Sequence, residues 1–128
     1  MNQVRHDGFY RSAPIAFDEH HGGSHWQGTC VQFWRFLPNG RFLRCISENH
    51  VLDFWLATEA QTDLVEGLPL MERISGGTYE QRDEVLTAFD TRVVDFVDPP
   101  KYVWHVRPQV LDPKSEVRAC FELVYTMP

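Results

Sequence analysis

The sequence predicts a mainly β protein: a single antiparallel, up-and-down β-barrel of about eight to nine strands with one short helical insertion. Short segments rich in β-branched and aromatic residues recur throughout the 128 residues, and Gly, Pro, Asn and Asp separate them. Most of these segments follow one another as hairpins, and closure into a barrel would leave no strand edge exposed. Neither an internal repeat nor a low-complexity linker divides the chain, so residues 1–128 are expected to form one domain.

The N-terminal third predicts two strands separated by a loop. The first strand lies around Phe9 to Ser12 and ends before Pro14. The segment "FDEHHGGSHWQG" is polar and rich in glycine and histidine, so it predicts a solvated loop at the mouth of the barrel. The segment "TCVQFWRFL", Thr29 to Leu37, has the β-branched and aromatic composition of a strand.

The segment "RFLPNGRFLR" repeats Arg-Phe-Leu on both sides of a turn and predicts a hairpin. Pro38 to Gly40 supply the turn, because proline presets φ and glycine accepts a left-handed backbone. The returning strand continues as "RFLRCIS". Phe36 and Phe42 are expected to face inward, and Arg35 and Arg41 are expected to face solvent.

The second half predicts one helix and then more strands. Apolar residues at helical spacing predict a short helix near Asn49 to Leu56, which would plug one barrel end or cover it as a lid. Two strands follow around a polar turn at Gln81 to Glu84, and "RVVDFVDPP" predicts another. The segments "KYVWHVRPQVL" and "EVRACFELVYT" predict the last pair, joined by "DPKS". Tyr102, Trp104 and Val106 share one face of it.

Charge and composition exclude several classes of partner. The net charge is −6, and lysine occurs only at Lys101 and Lys114, so neither nucleic acid nor a membrane surface is an expected partner. The apolar run "VLDFWLA" is too short to span a bilayer, and the N-terminus lacks the apolar core of a secretion signal. Three cysteines without CxxC spacing, Cys30, Cys45 and Cys120, predict reduced thiols in the cytoplasm.

Three short motifs resemble the lipocalin-like barrels of the calycin superfamily. They are a G-x-Y first strand, an RF-x-P-x-G hairpin and a later G-x-Y strand, formed by Gly8, Tyr10, Arg35, Phe36, Pro38, Gly40, Gly77 and Tyr79. The sequence resembles small bacterial lipocalin-like domains and the barrel domain of certain F-box proteins, although Tyr10 stands where tryptophan is usual. The resemblance implies an apolar interior that binds a small hydrophobic molecule, or a barrel that serves as an interaction module. It does not imply catalysis.

The expected ligand-binding residues lie on strands that would face the interior. They are Trp34, Phe36, Phe42, Arg44, Trp104, Val106 and Tyr125. The aromatic side chains would line an apolar cavity, and an arginine such as Arg44 would bind a ligand carboxylate through two parallel hydrogen bonds. Arg107 and Arg118 are also candidates by position, although an arginine at each of the three positions is more often a surface residue. The alternative is a packed core, because eight strands enclose a space that side chains alone can fill.

The histidines raise two further alternatives, a metal site and catalysis. His20, His21 and His25, with Asp18 or Glu19, have the spacing of metal ligands, but ordering a glycine-containing loop costs entropy. The favoured expectation is therefore a solvated loop without a metal or other cofactor.

Catalytic motifs are lacking, since the sequence contains no nucleophile elbow, phosphate loop or HExxH pattern. His50 or His105 could serve as a general base, with Asp53 or Asp95 as its orienting partner. Three hypotheses follow: non-catalytic binding of a small hydrophobic or amphipathic ligand, a protein-interaction barrel with a filled interior, and, least favoured, a small enzyme using a histidine at the barrel mouth.

Overall fold

The computed structural model describes residues 1–47, 74–90, 100–114 and 121–127. These residues form nine strands, which are β1 Phe9–Ser12, β2 Ile15–His21, β3 Ser24–Phe36, β4 Arg41–Ser47, β5 Ile74–Arg82, β6 Val85–Asp90, β7 Lys101–Arg107, β8 Val110–Pro113 and β9 Leu123–Thr126. The predicted helix near residues 49–56 and the strand predicted in "RVVDFVDPP" lie outside the described residues, apart from Pro100. No helix long and apolar enough to cross a membrane occurs among the described residues.

Eight of the described strands close into an antiparallel barrel. Each strand from β3 to β9 pairs with the next, and β1 pairs with both β9 and β3. Tyr10 of β1 is therefore opposite Tyr125 on one side and opposite Trp34 on the other. The up-and-down barrel predicted from the sequence is confirmed, and its topology is compatible with a lipocalin-like fold. The ninth strand, β2, pairs with the first half of β3 and extends away from the ring.

The two ends of the barrel differ. Tight turns join β3 to β4, β5 to β6 and β7 to β8 at one end, which we call the turn end. Because the strands alternate in direction, the last residues of β4, β6 and β8 lie together at the opposite end, which we call the far end. Ser47, Asp90 and Pro113 occupy these positions.

Aromatic rings fill the interior between these ends. Period-two alternation directs every second residue of each strand inward. Together with Val4, from the segment before β1, these inward residues form a buried cluster: Tyr10, Trp34, Phe36, Phe42, Leu86, Ala88, Tyr102, Trp104, Val106, Leu111, Leu123 and Tyr125. The predicted inward orientation of Phe36 and Phe42 is confirmed, since both are fully buried in this cluster.

The prediction that Arg35 faces solvent is wrong. Arg35 alternates with the inward residues Trp34 and Phe36, yet only 6% of it is exposed. Its neighbours on the outer face, Phe33 of β3 and Leu43 of β4, are also buried. The middle of β3 is therefore covered on both faces. Alternation predicted the direction of Arg35 correctly but could not predict that this part of the outer face is covered.

Two turns also differ from the sequence prediction. The segment expected to be a solvated loop is the β2–β3 hairpin, in which Gly22 and Gly23 have φ of 52° and 89°. Two consecutive positive φ values define a type I′ turn, which matches the twist of paired strands. The segment "KYVWHVRPQVL", expected as one strand, is divided into β7 and β8 by a turn in which Gln109 has φ of 63°.

Residues that precede β1 bind the turn end. The backbone N–H of Val4 donates to Gln81 Oε1 at 2.9 Å, and the Gln81 side chain donates back to the carbonyl of Asn2 at 2.7 Å. The Tyr125 hydroxyl donates to Asp7 at 3.0 Å. The guanidinium of Arg5 hydrogen-bonds to Asp7 and lowers the pKa of that carboxyl to about 2. The N-terminal segment is therefore held against β5 by Gln81 and against β9 by Tyr125.

Substitution of Gly76 tests the close approach of β5 to β4. A Cβ atom at this position would lie 2.7 Å from the carbonyl oxygen of Phe42, which is a backbone atom with little freedom to move. We expect Gly76→Ala to reduce the free energy of unfolding by about 1–3 kcal/mol, measured by urea denaturation. Thr78→Val, on the exposed face of the same strand, is the control and should change it by less than about 0.5 kcal/mol. Equal effects of the two substitutions would contradict this packing.

The raised pKa of Tyr79 predicts that the folded protein loses stability at alkaline pH. Its hydroxyl donates to the carbonyl of Leu37, and burial, with a smaller effect of Tyr10, raises its pKa to about 12. In the unfolded chain the Tyr79 hydroxyl ionises near pH 10. The stability that the folded state gains by keeping this hydroxyl protonated is therefore complete below about pH 10, and it is lost as the pH rises towards about 12.

Tyr79→Phe should cost about 1 kcal/mol at neutral pH, through the lost hydrogen bond, and should weaken the decline in stability above about pH 10. Urea denaturation of both proteins across this pH range measures the difference. An identical decline in the variant would show that Tyr79 is not the titrating group.

Candidate functional site

The residues predicted to bind a ligand come together inside the barrel. Six of the seven belong to the buried cluster: Trp34, Phe36, Phe42, Trp104, Val106 and Tyr125. The seventh, Arg44, lies beside this cluster with 15% of its side chain exposed. Arg107 does not join them, because it lies on the outer face and pairs with Asp112 at 2.6 Å. Arg118 lies outside the described residues.

The aromatic rings contact one another from the turn end to the middle of the barrel. The centroid of the Trp34 ring lies 4.9 Å from Tyr102 and 5.0 Å from both Trp104 and Phe42. Closer to the turn end, Phe36 lies 5.1 Å from Tyr79. Edge-to-face and offset contacts at these distances are favourable packing. The rings in this part of the interior therefore have one another as neighbours, as the packed-core alternative expects.

On the side of Trp34 that faces the far end, three polar side chains occupy inward positions. They are Gln32, Arg44 and Asp90, and we call them the Arg44 cluster. Gln32 Oε1 accepts hydrogen bonds from Trp34 Nε1 at 3.1 Å and from Arg44 Nε at 3.2 Å. Arg44 Nη1 lies 3.5 Å from Asp90 Oδ2, and Asp90 is fully buried. The Arg44 guanidinium also lies 5.7 Å from the centre of the Trp34 ring and 5.6 Å from that of Tyr102.

Strand register explains how residues distant in sequence form this cluster. Arg44 follows Phe42 by two positions on the inward face of β4 and is directly opposite Trp34. Asp90, the last residue of β6, is opposite Gly77, which is in turn opposite Phe42. Since glycine has no side chain, the row from Phe42 across to Asp90 contains no intervening side chain from β5. The arginine and the aspartate can then approach each other within the barrel.

The buried ion pair is more consistent with function than with stability. Transfer of two charges from water into a protein interior costs several kcal/mol per ion, and apolar residues of similar volume often stabilise a fold equally well or better. The rest of the inward-facing set is largely apolar and shows how this barrel otherwise fills its interior. A charged pair at the edge of an aromatic core is therefore a candidate binding site.

Sequence reasoning identified Arg44 but missed Asp90 and Gln32. A signal for both was present in the period-two pattern. Asp90 continues the alternation of Leu86 and Ala88 along β6, and Gln32 precedes Trp34 by two positions. Polar residues are usually exposed, so polarity alone would not select these two positions, which the register places inside the barrel.

The proposed catalytic histidines do not form a general-base pair within the described residues. His105 alternates with the inward residues Trp104 and Val106, so it points to the outer face. Asp112, opposite His105 in β8, binds Arg107 instead. His50, Asp53 and Asp95 lie outside the described residues.

Comparison with protein-family models, with curated proteins and with solved structures finds no match. The geometry of the barrel and of the Arg44 cluster is therefore the basis for assigning a function.

Double-mutant analysis tests the coupling of Arg44 and Asp90. Arg44→Met removes the positive charge and keeps an apolar stem, while Asp90→Asn removes the negative charge and keeps the shape. Each single substitution should lower the free energy of unfolding by about 3 kcal/mol, because it leaves the other charge in a largely buried position. The double variant should lose clearly less than the sum of the two, as measured by urea denaturation. Additivity to within about 0.5 kcal/mol would contradict the ion pair.

Proposed function

We propose that this protein binds a small amphipathic ligand, without catalysis, at the far end of its barrel. The observation that supports the proposal is the buried Arg44–Asp90 pair, which lies directly beside the rings of Trp34 and Tyr102. The ligand's polar group would contact the Arg44 cluster. Its apolar part would contact the aromatic rings beside that cluster.

The chemistry of the Arg44 cluster favours a ligand with acceptor oxygens. A guanidinium is planar and presents its N–H groups in a fork that matches a carboxylate. Small-ligand sites typically combine a mostly apolar surface with a few polar groups that fix orientation, which is the combination found here. A carboxylate on a hydrocarbon chain is therefore the simplest ligand that fits.

The packed rings limit how deeply a ligand enters. Phe36, Phe42, Val106 and Tyr125 lie in the closely packed cluster that extends to the turn end. In this proposal they form the floor of the site, and Trp34 and Arg44 are the predicted residues that contact the ligand. The ligand would then remain at the far end, above the packed rings.

A relationship to the calycin superfamily is part of this proposal. The closed eight-stranded antiparallel barrel and the RF-x-P-x-G hairpin support it. A cytoplasmic location is also proposed. It is supported by the sequence, whose three cysteines are an odd number without CxxC spacing.

A second candidate function is a protein-interaction barrel with a filled interior. The ring-to-ring contacts around Trp34 favour it, because a core filled by its own side chains needs no ligand. The exposed apolar side chain of Val124, on the outer face of β9, is one place where a partner protein would find apolar surface. The two functions differ in whether Arg44 contacts a small molecule.

Titration with a fatty acid tests the ligand proposal. Protein without a histidine tag would be titrated with dodecanoate and with dodecanol, and binding followed by tryptophan fluorescence. We expect saturable binding of dodecanoate that Arg44→Met weakens about tenfold to a hundredfold, since a hydrogen-bonded charge contributes about 1.5–3 kcal/mol. Dodecanol should bind more weakly, and its affinity should depend little on Arg44.

Arg107→Met is the matched control, because this arginine is exposed on the outer face and lies away from the Arg44 cluster. It should leave dodecanoate affinity unchanged. Absence of saturable binding, together with no co-purifying small molecule in native mass spectrometry, would favour the interaction barrel. Equal losses of dodecanoate affinity in the two arginine variants would show that the ligand's carboxylate does not bind at Arg44.

A further inference from the structure

The β2–β3 hairpin brings three metal-ligating side chains to one face outside the barrel. β2 is antiparallel to the first half of β3, with His20 directly opposite His25 and Asp18 directly opposite Gln27. Because side chains alternate along a strand, Asp18 and His20 share a face, and His25 projects from the partner strand onto the same face. The side chain of His21 lies outside the described part of the structure.

The three side chains converge on a small volume. One ligand atom from each of Asp18, His20 and His25 lies within 4.8 Å of the others, and all three residues are exposed. His25 Nε2 hydrogen-bonds to Asp18 Oδ1, and His20 Nε2 lies 3.9 Å from the same oxygen. The two imidazole rings stack with centroids 4.2 Å apart and planes inclined by 10°.

We propose that Asp18, His20 and His25 bind a divalent first-row transition metal ion, with Zn²⁺ as the reference ion. Two imidazole nitrogens and one carboxylate oxygen are a donor set that such ions favour, whereas Mg²⁺ and Ca²⁺ prefer sites made of oxygen alone. The metal site does not depend on the ligand site, since the hairpin extends outside the ring of eight strands.

Metal binding requires rearrangement of the three exposed side chains and leaves the hairpin backbone in place. With bonds of about 2.0–2.1 Å, the ligand atoms of a tetrahedral Zn²⁺ site lie roughly 3.3 Å apart. His20 must approach Asp18 by less than about 1 Å, and the hydrogen bond of Asp18 with His25 must open to admit the ion. The His20 and His25 rings must also rotate out of their parallel stack, because an ion lies in the plane of each imidazole that binds it. Both side chains are exposed and can make this rotation. The fourth position would face solvent and hold water, as in zinc sites with three protein ligands.

The hairpin also removes the entropic objection to a metal site. A loop containing Gly22 and Gly23 would have to be ordered by the ion, but here the type I′ turn and the strand pairing already fix the backbone.

Isothermal titration of ZnCl₂ into metal-free, untagged, full-length protein tests the proposal. We expect one Zn²⁺ per chain and, in parallel titrations, an affinity order of Cu²⁺ above Zn²⁺ above Co²⁺. His20→Gln, His25→Gln and Asp18→Asn should each reduce Zn²⁺ affinity by about tenfold or more. His105→Gln is the control, because His105 lies on β7 of the barrel, and it should leave the affinity unchanged.

A long-range proton–nitrogen NMR correlation of the imidazole groups gives a second measurement that does not depend on the variants. Zn²⁺ should shift the ring nitrogens of His20 and His25 and leave those of His6 and His105 in place. Absence of Zn²⁺ binding would overturn the proposal. So would binding that survives all three substitutions undiminished, or an NMR shift confined to other histidines.

Discussion

The pairing of β1 with both β9 and β3 is the constraint on which the rest of the structure depends. The four residues of β1, Phe9–Ser12, join β3 to β9 and so close the ring. Tyr10 is opposite Trp34 of β3 on one side and Tyr125 of β9 on the other. Without this pairing the sheet would have two open edges, and its inward face would be exposed to water. Because the ring is closed, all inward side chains lie in one shared interior. The register of the strands then determines which of these side chains are neighbours across the barrel.

The width of that interior then determines where polar residues lie. Eight strands enclose a space that side chains can fill, and the rings around Trp34 fill it from the turn end upwards. Inward positions nearer the far end are occupied by Gln32, Arg44 and Asp90, which hydrogen-bond or pair with one another. The proposed ligand site thus follows from the closure of the barrel, whereas the proposed metal site follows from the extension of β3 beyond it.

Sequence patterns predicted local structure well and missed features set by long-range neighbours. The turn at residues 38–40 and the inward positions of Phe36 and Phe42 depend on nearby residues, so the sequence was sufficient. The burial of Arg35 depends on what covers the outer face, which alternation cannot reveal. Asp90 resembled a solvent-facing residue because its partner Arg44 lies in a different strand. The histidine segment predicted a loop because its composition is polar, while two glycines in a type I′ turn form a hairpin.

The most direct test of closure is a measurement of NMR contacts on both sides of β1 in the same sample. Backbone protons of Tyr10 should show interstrand nuclear Overhauser effects to Tyr125 and also to Trp34, since both are its partners in the register. Both sets of contacts together would establish the closed ring. Contacts to Tyr125 without contacts to Trp34 would show an open sheet, and would contradict the enclosed aromatic interior and the buried Arg44 cluster.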